Sequence, residues 1–150
     1  MGTDLIWKTI QLNEKDIVPS GRYGHFISTF EKKLIVFGGK DKNEISLNDL
    51  WIFDMDKNIW TQIEYNNIIS NVPKSKFLVS GCLIEKYGII IFFGGKNSED
   101  NDIYLLNLNI LNEILQLKYE NKYSIDESET VAKLNILWTI KKETSIFNLI

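Results

Sequence analysis

The strongest constraint on this chain is a repeat within its own sequence. Pro19-Ser-Gly-Arg22-Tyr23 leads into an apolar run, a charged turn and Leu34-Ile-Val-Phe37-Gly38-Gly39, then a polar loop, Asn48-Asp49-Leu-Trp51-Ile-Phe53-Asp54 and Trp60-Thr61. The order returns from Pro73-Lys-Ser-Lys76-Phe77 through Ile89-Ile-Ile-Phe-Phe93-Gly94-Gly95 to Asn101-Asp102-Ile-Tyr104-Leu-Leu106-Asn107. Pro73 follows Pro19 by 54 residues, Gly94 follows Gly38 by 56 and Asp102 follows Asp49 by 53. Drift this small places the insertions and deletions in turns. Leu34 to Phe37 and Ile89 to Phe93 are continuous apolar runs rich in Ile, Val and Phe and closed by Gly-Gly, the pattern of strands covered on both faces. A glycine pair at a strand end permits positive φ and close backbone approach. Asp54-Met-Asp-Lys-Asn58 is the polar cluster that a hairpin turn requires.

These residues carry a family resemblance. Pro19, Arg22, Gly24 and His25, the pair Gly38-Gly39, the run Asn48 to Asp54 and Trp60 resemble the kelch repeat, whose period is close to 50 residues. The second unit keeps Pro73, its glycine pair and Asn101-Asp102, but has Lys76 for the arginine, Val79 for the histidine and Asn107 for the second aspartate. The resemblance implies an all-β fold: a partial kelch-type β-propeller of two four-stranded antiparallel blades plus an extra N-terminal outer strand. Residues 19–64 form the first blade and 73–143 the second, and 1–18 supply the orphan strand and its connection, because Trp7-Lys-Thr-Ile10 echoes Trp60-Thr-Gln-Ile63.

Two readings are open after Asn107. In one, Asn135-Ile-Leu-Trp138-Thr139 repeats Asn58-Ile-Trp60-Thr61, so Trp138 to Glu143 is the outer strand of the second blade, displaced by an insertion at 110–134 whose acidic Glu120 to Thr130 is a loop. In the other, Leu115 to Tyr119 is that strand and 131–140 opens a third repeat. Either way the chain stops before a third Gly-Gly. A propeller has about 4 to 8 blades, so two blades are expected to leave apolar faces at both ends. A fragment or module is expected, with further blades supplied by missing chain or by self-association.

Composition narrows the function. The 17 basic and 20 acidic residues give a net charge of -3, which lacks the basic footprint of a nucleic-acid binder. Cys82 stands alone, so neither an intrachain disulfide nor a Cys-rich zinc site can form, and a reducing, cytoplasmic setting fits. Met1 to Ile10 lacks the pattern of a signal peptide, and Gly88 to Phe93 is far short of the roughly 18 residues of a membrane span. His25 is the only histidine, so a multi-histidine metal site is excluded and no cofactor is expected. A Cys82–His25 nucleophile pair is weighed against a small buried Cys and a backbone-satisfied His, and the structural reading is preferred. Gly38-Gly39-Lys40 and Gly94-Gly95-Lys96 lack the spacing and the Ser/Thr of a phosphate loop. Asp41, Glu44, Glu99 and Asp100 alternate with Lys and Asn, as a solvated loop does. The tryptophans at the repeated position are read as packing between blades.

In kelch propellers the segment around the arginine and the loop after Gly-Gly line one mouth of the central channel. By that resemblance Arg22, Tyr23, Lys40, Lys42, Asn43, Lys76, Phe77, Lys96 and Asn97 form a candidate partner-binding rim, with no catalytic residue. The resemblance implies a protein-interaction scaffold that binds a protein or peptide. Its alternatives are the propeller part of a larger enzyme or ubiquitin-ligase adaptor, and a metal-dependent propeller enzyme. The cationic share of the rim suggests an acidic or phosphorylated ligand, against the reading of simple solvated lysines.

Overall fold

The computed structural model describes residues 9–12, 16–64, 71–96, 102–120 and 127–141. The orphan strand expected around Trp7 lies outside these residues, as does Asn97. In chain order the strands are β1 (Arg22–Tyr23), β2 (Phe26–Phe30), β3 (Lys33–Asp41), β4 (Ser46–Asp54), β5 (Ile59–Ile63), β6 (Ser80–Ile84), β7 (Ile89–Phe93), β8 (Ile103–Asn107) and β9 (Trp138–Lys141). Two helices, α1 (Leu108–Glu120) and α2 (Glu127–Leu137), separate β8 from β9.

The strands form two antiparallel sheets, one for each repeat. The first runs β1-β3-β4-β5, with β2 also on β3, and the second runs β6-β7-β8-β9. Trp60 stands opposite Phe53 in the first sheet and Trp138 opposite Leu106 in the second. The second sheet is therefore completed by the strand that opens at Trp138. The rival placement fails because Leu115 to Tyr119 is helical. The insertion is also not the loop expected over Glu120 to Thr130: Glu127–Leu137 is α2, and the helices begin at Leu108 rather than at 110.

A one-residue substitution explains where the helix starts. In the first sheet Asp54 Oδ1 accepts the N–H groups of Asp56 and Lys57, both at 3.0 Å, and closes the turn to β5. Asn107 occupies the same position in the second repeat. Its Oδ1 accepts the N–H groups of Asn109 and Ile110 at 3.1 and 3.2 Å, which caps the first turn of α1. The cap geometry is shared, and the residues after the cap decide the outcome. Met55-Asp-Lys-Asn58 ends with Asn58 at φ 54, which turns the chain back. After Asn107, Leu108, Leu111, Ile114 and Leu115 recur at helical spacing, and all four are buried.

One core spans both sheets and both helices. Alternation along the strands turns Ile35, Phe37, Leu50, Ile52 and Ile63 of the first sheet toward Ile90, Phe92, Tyr104, Leu106 and Trp138 of the second. Ring centroids lie 5.3 Å apart for Phe37 and Phe92, 5.4 Å for Phe37 and Trp138, and 5.6 Å for Phe92 and Trp138. Pairs of this kind contribute roughly 0.5–1.5 kcal/mol beyond area burial. On the inner side Phe26 meets Phe92 edge-on at 4.7 Å. Its ring lies over Gly81, where a Cβ would approach to 2.7 Å, so this position has no room for a side chain. Helix α1 reaches back over the first sheet. Lys118 Nζ donates to the Gln62 carbonyl of edge strand β5 at 3.0 Å, and burial pushes the Lys118 pKa down, against a nearby Glu64 carboxylate that raises it.

Both outer faces carry exposed apolar side chains. On the first sheet Val36, Trp51 and Phe53 are buried, and Ile27, which stands opposite Val36, is 52% exposed. On the second, Phe93 is 52% exposed and Ile84 36%.

The fold generates a stability prediction. Trp138→Ala removes the side chain that bridges Phe37 and Phe92, and it should cost about 3–5 kcal/mol in urea-induced unfolding. A cost below about 1 kcal/mol would contradict the assignment of Trp138 to the inter-sheet core.

Candidate partner-binding rim

The rim is built where β1 meets the far end of β3. Tyr23 stands opposite Lys40 and Arg22 opposite Asp41. The loop from β3 to β4 is fixed by Asp41, whose Oδ1 accepts the N–H groups of Asn43 and Ile45, both at 2.9 Å. Glu44 takes the left-handed conformation at φ 62, and its N–H donates to the Asp41 carbonyl at 3.1 Å. The second repeat joins through the backbone. Gly39 N–H donates to the Lys76 carbonyl at 2.9 Å, Lys76 N–H to the Leu47 carbonyl at 3.0 Å and Leu78 N–H to the Gly24 carbonyl at 2.7 Å. Phe77 and Lys96 exchange both backbone hydrogen bonds. A Cβ at Gly38, which has φ +63, would lie 2.6 Å from the Lys76 carbonyl. The first glycine of the pair is thus required both by backbone conformation and by the approach of the next repeat.

Two of the nine expected rim residues are not surface groups, which corrects the expectation from sequence. The Arg22 side chain is 5% exposed. Its Nη1 and Nη2 donate to the two Asp49 carboxylate oxygens at 2.6 and 2.9 Å, and Nη1 also donates to the Gly38 carbonyl at 3.1 Å. Asp49 in turn accepts Trp51 Nε1–H at 2.6 Å. Arg22 and Asp49 therefore form a bidentate lock between the start of the first repeat and β4. Lys76 takes the equivalent place in the second repeat and is 2% exposed. Its Nζ reaches the Gly94 carbonyl at 3.4 Å and lies 5.0 Å from the Tyr104 ring centroid. Both cations are withheld from a ligand because each serves the fold of its own repeat.

The other described rim residues come together. Tyr23 is 46% exposed and donates its hydroxyl to Glu44 Oε2 at 2.5 Å. Lys40 Nζ donates to the same oxygen at 3.3 Å and sits 4.3 Å from the Phe77 ring centroid, across the junction of the repeats. The Tyr23 hydrogen bond is the main cause of the lowered Glu44 pKa, followed by Lys40, and the same bond raises the Tyr23 pKa. Lys42, Asn43 and Lys96 are exposed around this cluster. Sequence reasoning missed the apolar members: Ile45, 57% exposed in the polar loop, and Leu78, 56% exposed beside Phe77. A large aliphatic residue inside a charged loop was the available signal for Ile45.

Cys82 is exposed, not buried as expected, and pairs with Ile91 on the face of the second sheet turned away from the first. That placement separates its thiol from His25, whose Nδ1 is buried without a hydrogen-bond partner rather than satisfied by backbone. Among the described residues no group of three or more His, Cys, Asp or Glu side chains converges. At the opposite edge of the first sheet a groove of about 440 Å³ lies between the turns and α1. Its charges are engaged with each other: Lys57 pairs with Asp54 at 3.5 Å and covers the Tyr119 ring at 3.3 Å, and Lys33 pairs with Glu31 at 3.6 Å. No described helix is long and apolar enough to cross a membrane.

Comparison with known proteins agrees with this architecture. Residues 3–112 match the KLHDC2/KLHL20/DRC7 Kelch-repeats domain. Kelch domain-containing protein 3 of Homo sapiens is 28% identical over 95 residues, covering 61% of this chain and 24% of the relative. An N-(sulfonatooxy)prop-2-enimidothioate sulfolyase of Thlaspi arvense is 32% identical over 111 residues, covering 73% and 26% respectively. The negative regulator of sporulation MDS3 of Candida albicans is 29% identical over 118 residues, covering 65% and 8%. Among solved structures, YjhT aligns with a TM-score of 0.33 and 17% identity, over 77% of this chain and 29% of that one. The chain thus spans about a quarter or less of the length of these relatives. With two sheets that repeat one strand order, a Gly-Gly pair after each buried run, an Arg–Asp lock in the first repeat, and a match over residues 3–112, the chain belongs to the kelch-repeat family.

Proposed function

We propose that this chain is a protein-interaction module with no catalysis of its own, and that it receives a protein or peptide at the rim between its two repeats. The observation that carries the reading is the cluster that joins the two repeats, in which Lys40 sits between Glu44 and Phe77 on a backbone fixed from both sides. Tyr23, Ile45 and Leu78 are exposed around the Lys40–Glu44–Phe77 cluster, and the loop that bears Ile45 is pinned by Asp41. Loops held on a rigid scaffold are where recognition concentrates, and exposed aromatic and aliphatic side chains are its usual anchors. Membership of a family that includes kelch domain-containing proteins supports the same reading.

The ligand's charge is inferred from which cations are committed to the fold. Arg22 is committed to Asp49, Lys76 to its own repeat and Lys40 to Glu44 and Phe77. Lys42 and Lys96 are exposed and flank the apolar patch. They favour a partner segment with an apolar anchor and an acidic or phosphorylated flank. A reducing, cytoplasmic setting is part of the proposal, because the single thiol, Cys82, is exposed and free.

Two outcomes test the proposal with a partner isolated on the chain. Tyr23→Ala and Leu78→Asp should each weaken that partner's binding about tenfold or more, measured by titration calorimetry, with the melting curve unchanged. The double variant Lys42→Glu/Lys96→Glu should weaken it most at low ionic strength. Unchanged affinity in all three would place the site elsewhere. Arg22→Met, by contrast, should lower stability by about 3 kcal/mol, because it leaves Asp49 without its counter-charge, and any loss of binding should track the fraction unfolded.

A further inference from the structure

Two hydrogen-bond donors of the rim converge on one oxygen atom that the chain itself supplies. Tyr23 of β1 and Lys40 of β3 stand directly opposite each other. The Tyr23 hydroxyl and the Lys40 ammonium donate to the same atom, Glu44 Oε2, at 2.5 and 3.3 Å. Both donors are held by the pairing of their strands, and the Lys40 side chain, 19% exposed, rests its ammonium against the Phe77 ring. The acceptor comes from the loop between β3 and β4, on a side chain that is 66% exposed.

The Glu44 carboxylate is not what builds that loop. Asp41 closes the turn: its side chain accepts the N–H groups of Asn43 and Ile45, and its carbonyl accepts the N–H of Glu44. Glu44 itself stands at φ 62, a left-handed conformation that favours glycine or asparagine. The turn therefore neither needs the carboxylate nor favours the residue that carries it. The second repeat supplies a control. Phe77 and Lys96 pair there as Tyr23 and Lys40 pair in the first repeat, and Phe77 has no hydroxyl. The Tyr23 hydroxyl is thus not something the repeat requires in order to fold.

A hydroxyl and an ammonium fixed side by side suit a carboxylate, and here a carboxylate already lies on them. We propose that Glu44 is a built-in competitor, which fills the anion position of the rim until an acidic side chain of the partner displaces it and takes its place on Tyr23 and Lys40. This rests on the reading of the rim as the partner-binding surface. Displacement uncovers no core, because the Glu44 side chain is exposed, and it releases Lys40 to the incoming group beside the exposed Lys42 and Lys96. An exposed ion pair and a single exposed hydrogen bond are each weak, so Glu44 tunes the affinity of the site and does not close it.

The test titrates a tetraglutamate peptide, blocked at both ends, onto the whole chain and follows the amide signals of Lys40 and Phe77 by NMR. Glu44→Ala should tighten its binding about fivefold, and Glu44→Gln by less, with the melting curve unchanged. Adding Tyr23→Phe to Glu44→Ala should remove the gain. That second substitution changes no charge, so its effect separates a site on the hydroxyl from a general change in the field of the surface. Unchanged binding in Glu44→Ala, a gain that survives Tyr23→Phe, or a gain confined to an end-blocked phosphoserine peptide would overturn the proposal. A partner isolated on the chain separates this inference from the reading beneath it. If Tyr23→Ala and Leu78→Asp weaken that partner while Glu44→Ala leaves its affinity unchanged, the competition by Glu44 fails and the rim stands. If none of the three alters its affinity while the tetraglutamate gain is present, the anion position stands and the partner binds elsewhere.

Discussion

The packing of Phe37 against Phe92 and Trp138 is the contact on which the rest of the molecule depends. A single twisted four-stranded sheet buries little on its own, and a repeat of this kind acquires a core only when a second sheet lies across it. The contact also orients the rim. With the sheets set face to face, the Lys76 carbonyl meets the Gly39 N–H and the Gly24 carbonyl meets the Leu78 N–H, so the junction between repeats is stitched by backbone. Phe77 is thereby carried to within 4.3 Å of the Lys40 ammonium. A recognition surface that crosses two repeats is thus a consequence of core packing, not an addition to it.

The second repeat shows how such packing tolerates substitution. Arg22 makes a bidentate lock on Asp49 and a further hydrogen bond to the Gly38 carbonyl. Lys76 keeps the carbonyl contact, to Gly94, and lies near the ring of Tyr104, which replaces Trp51. A point charge on a flexible stem cannot reproduce a planar fork, but it can satisfy the strand-end carbonyl. The exchange of Asp54 for Asn107 is milder still. Either side chain offers one oxygen to two successive N–H groups, so the position accepts a turn in one repeat and a helix in the other.

Much of the fold was legible because strand order, glycine pairs and aromatic positions recur at nearly constant spacing. Trp138 could be assigned to the outer strand of the second sheet across 30 residues of unrelated sequence, since Asn-Ile-x-Trp-Thr resembles the segment at Trp60. The helices were not legible in the same way. No repeat copy exists for them, and the acidic stretch beyond Glu120 masked the helical spacing of Leu108, Leu111, Ile114 and Leu115. At the rim, residue type misleads. Arginine and lysine in a loop motif suggest ligand-facing groups, whereas Arg22 and Lys76 are satisfied internally and the exposed anchors are Ile45 and Leu78. Charge in a repeated motif reports on the repeat before it reports on a ligand.

Exposure is the property that a repeated sequence hides most completely. Phe37 and Phe93 each precede a Gly-Gly pair and stand at the same place in their repeats, yet one is 1% exposed and the other 52%. Nothing local distinguishes them. The difference arises from position in the array: the second sheet covers the first and has no described counterpart on its own outer side. A repeat motif therefore encodes the shape of an interface twice and its occupancy not at all.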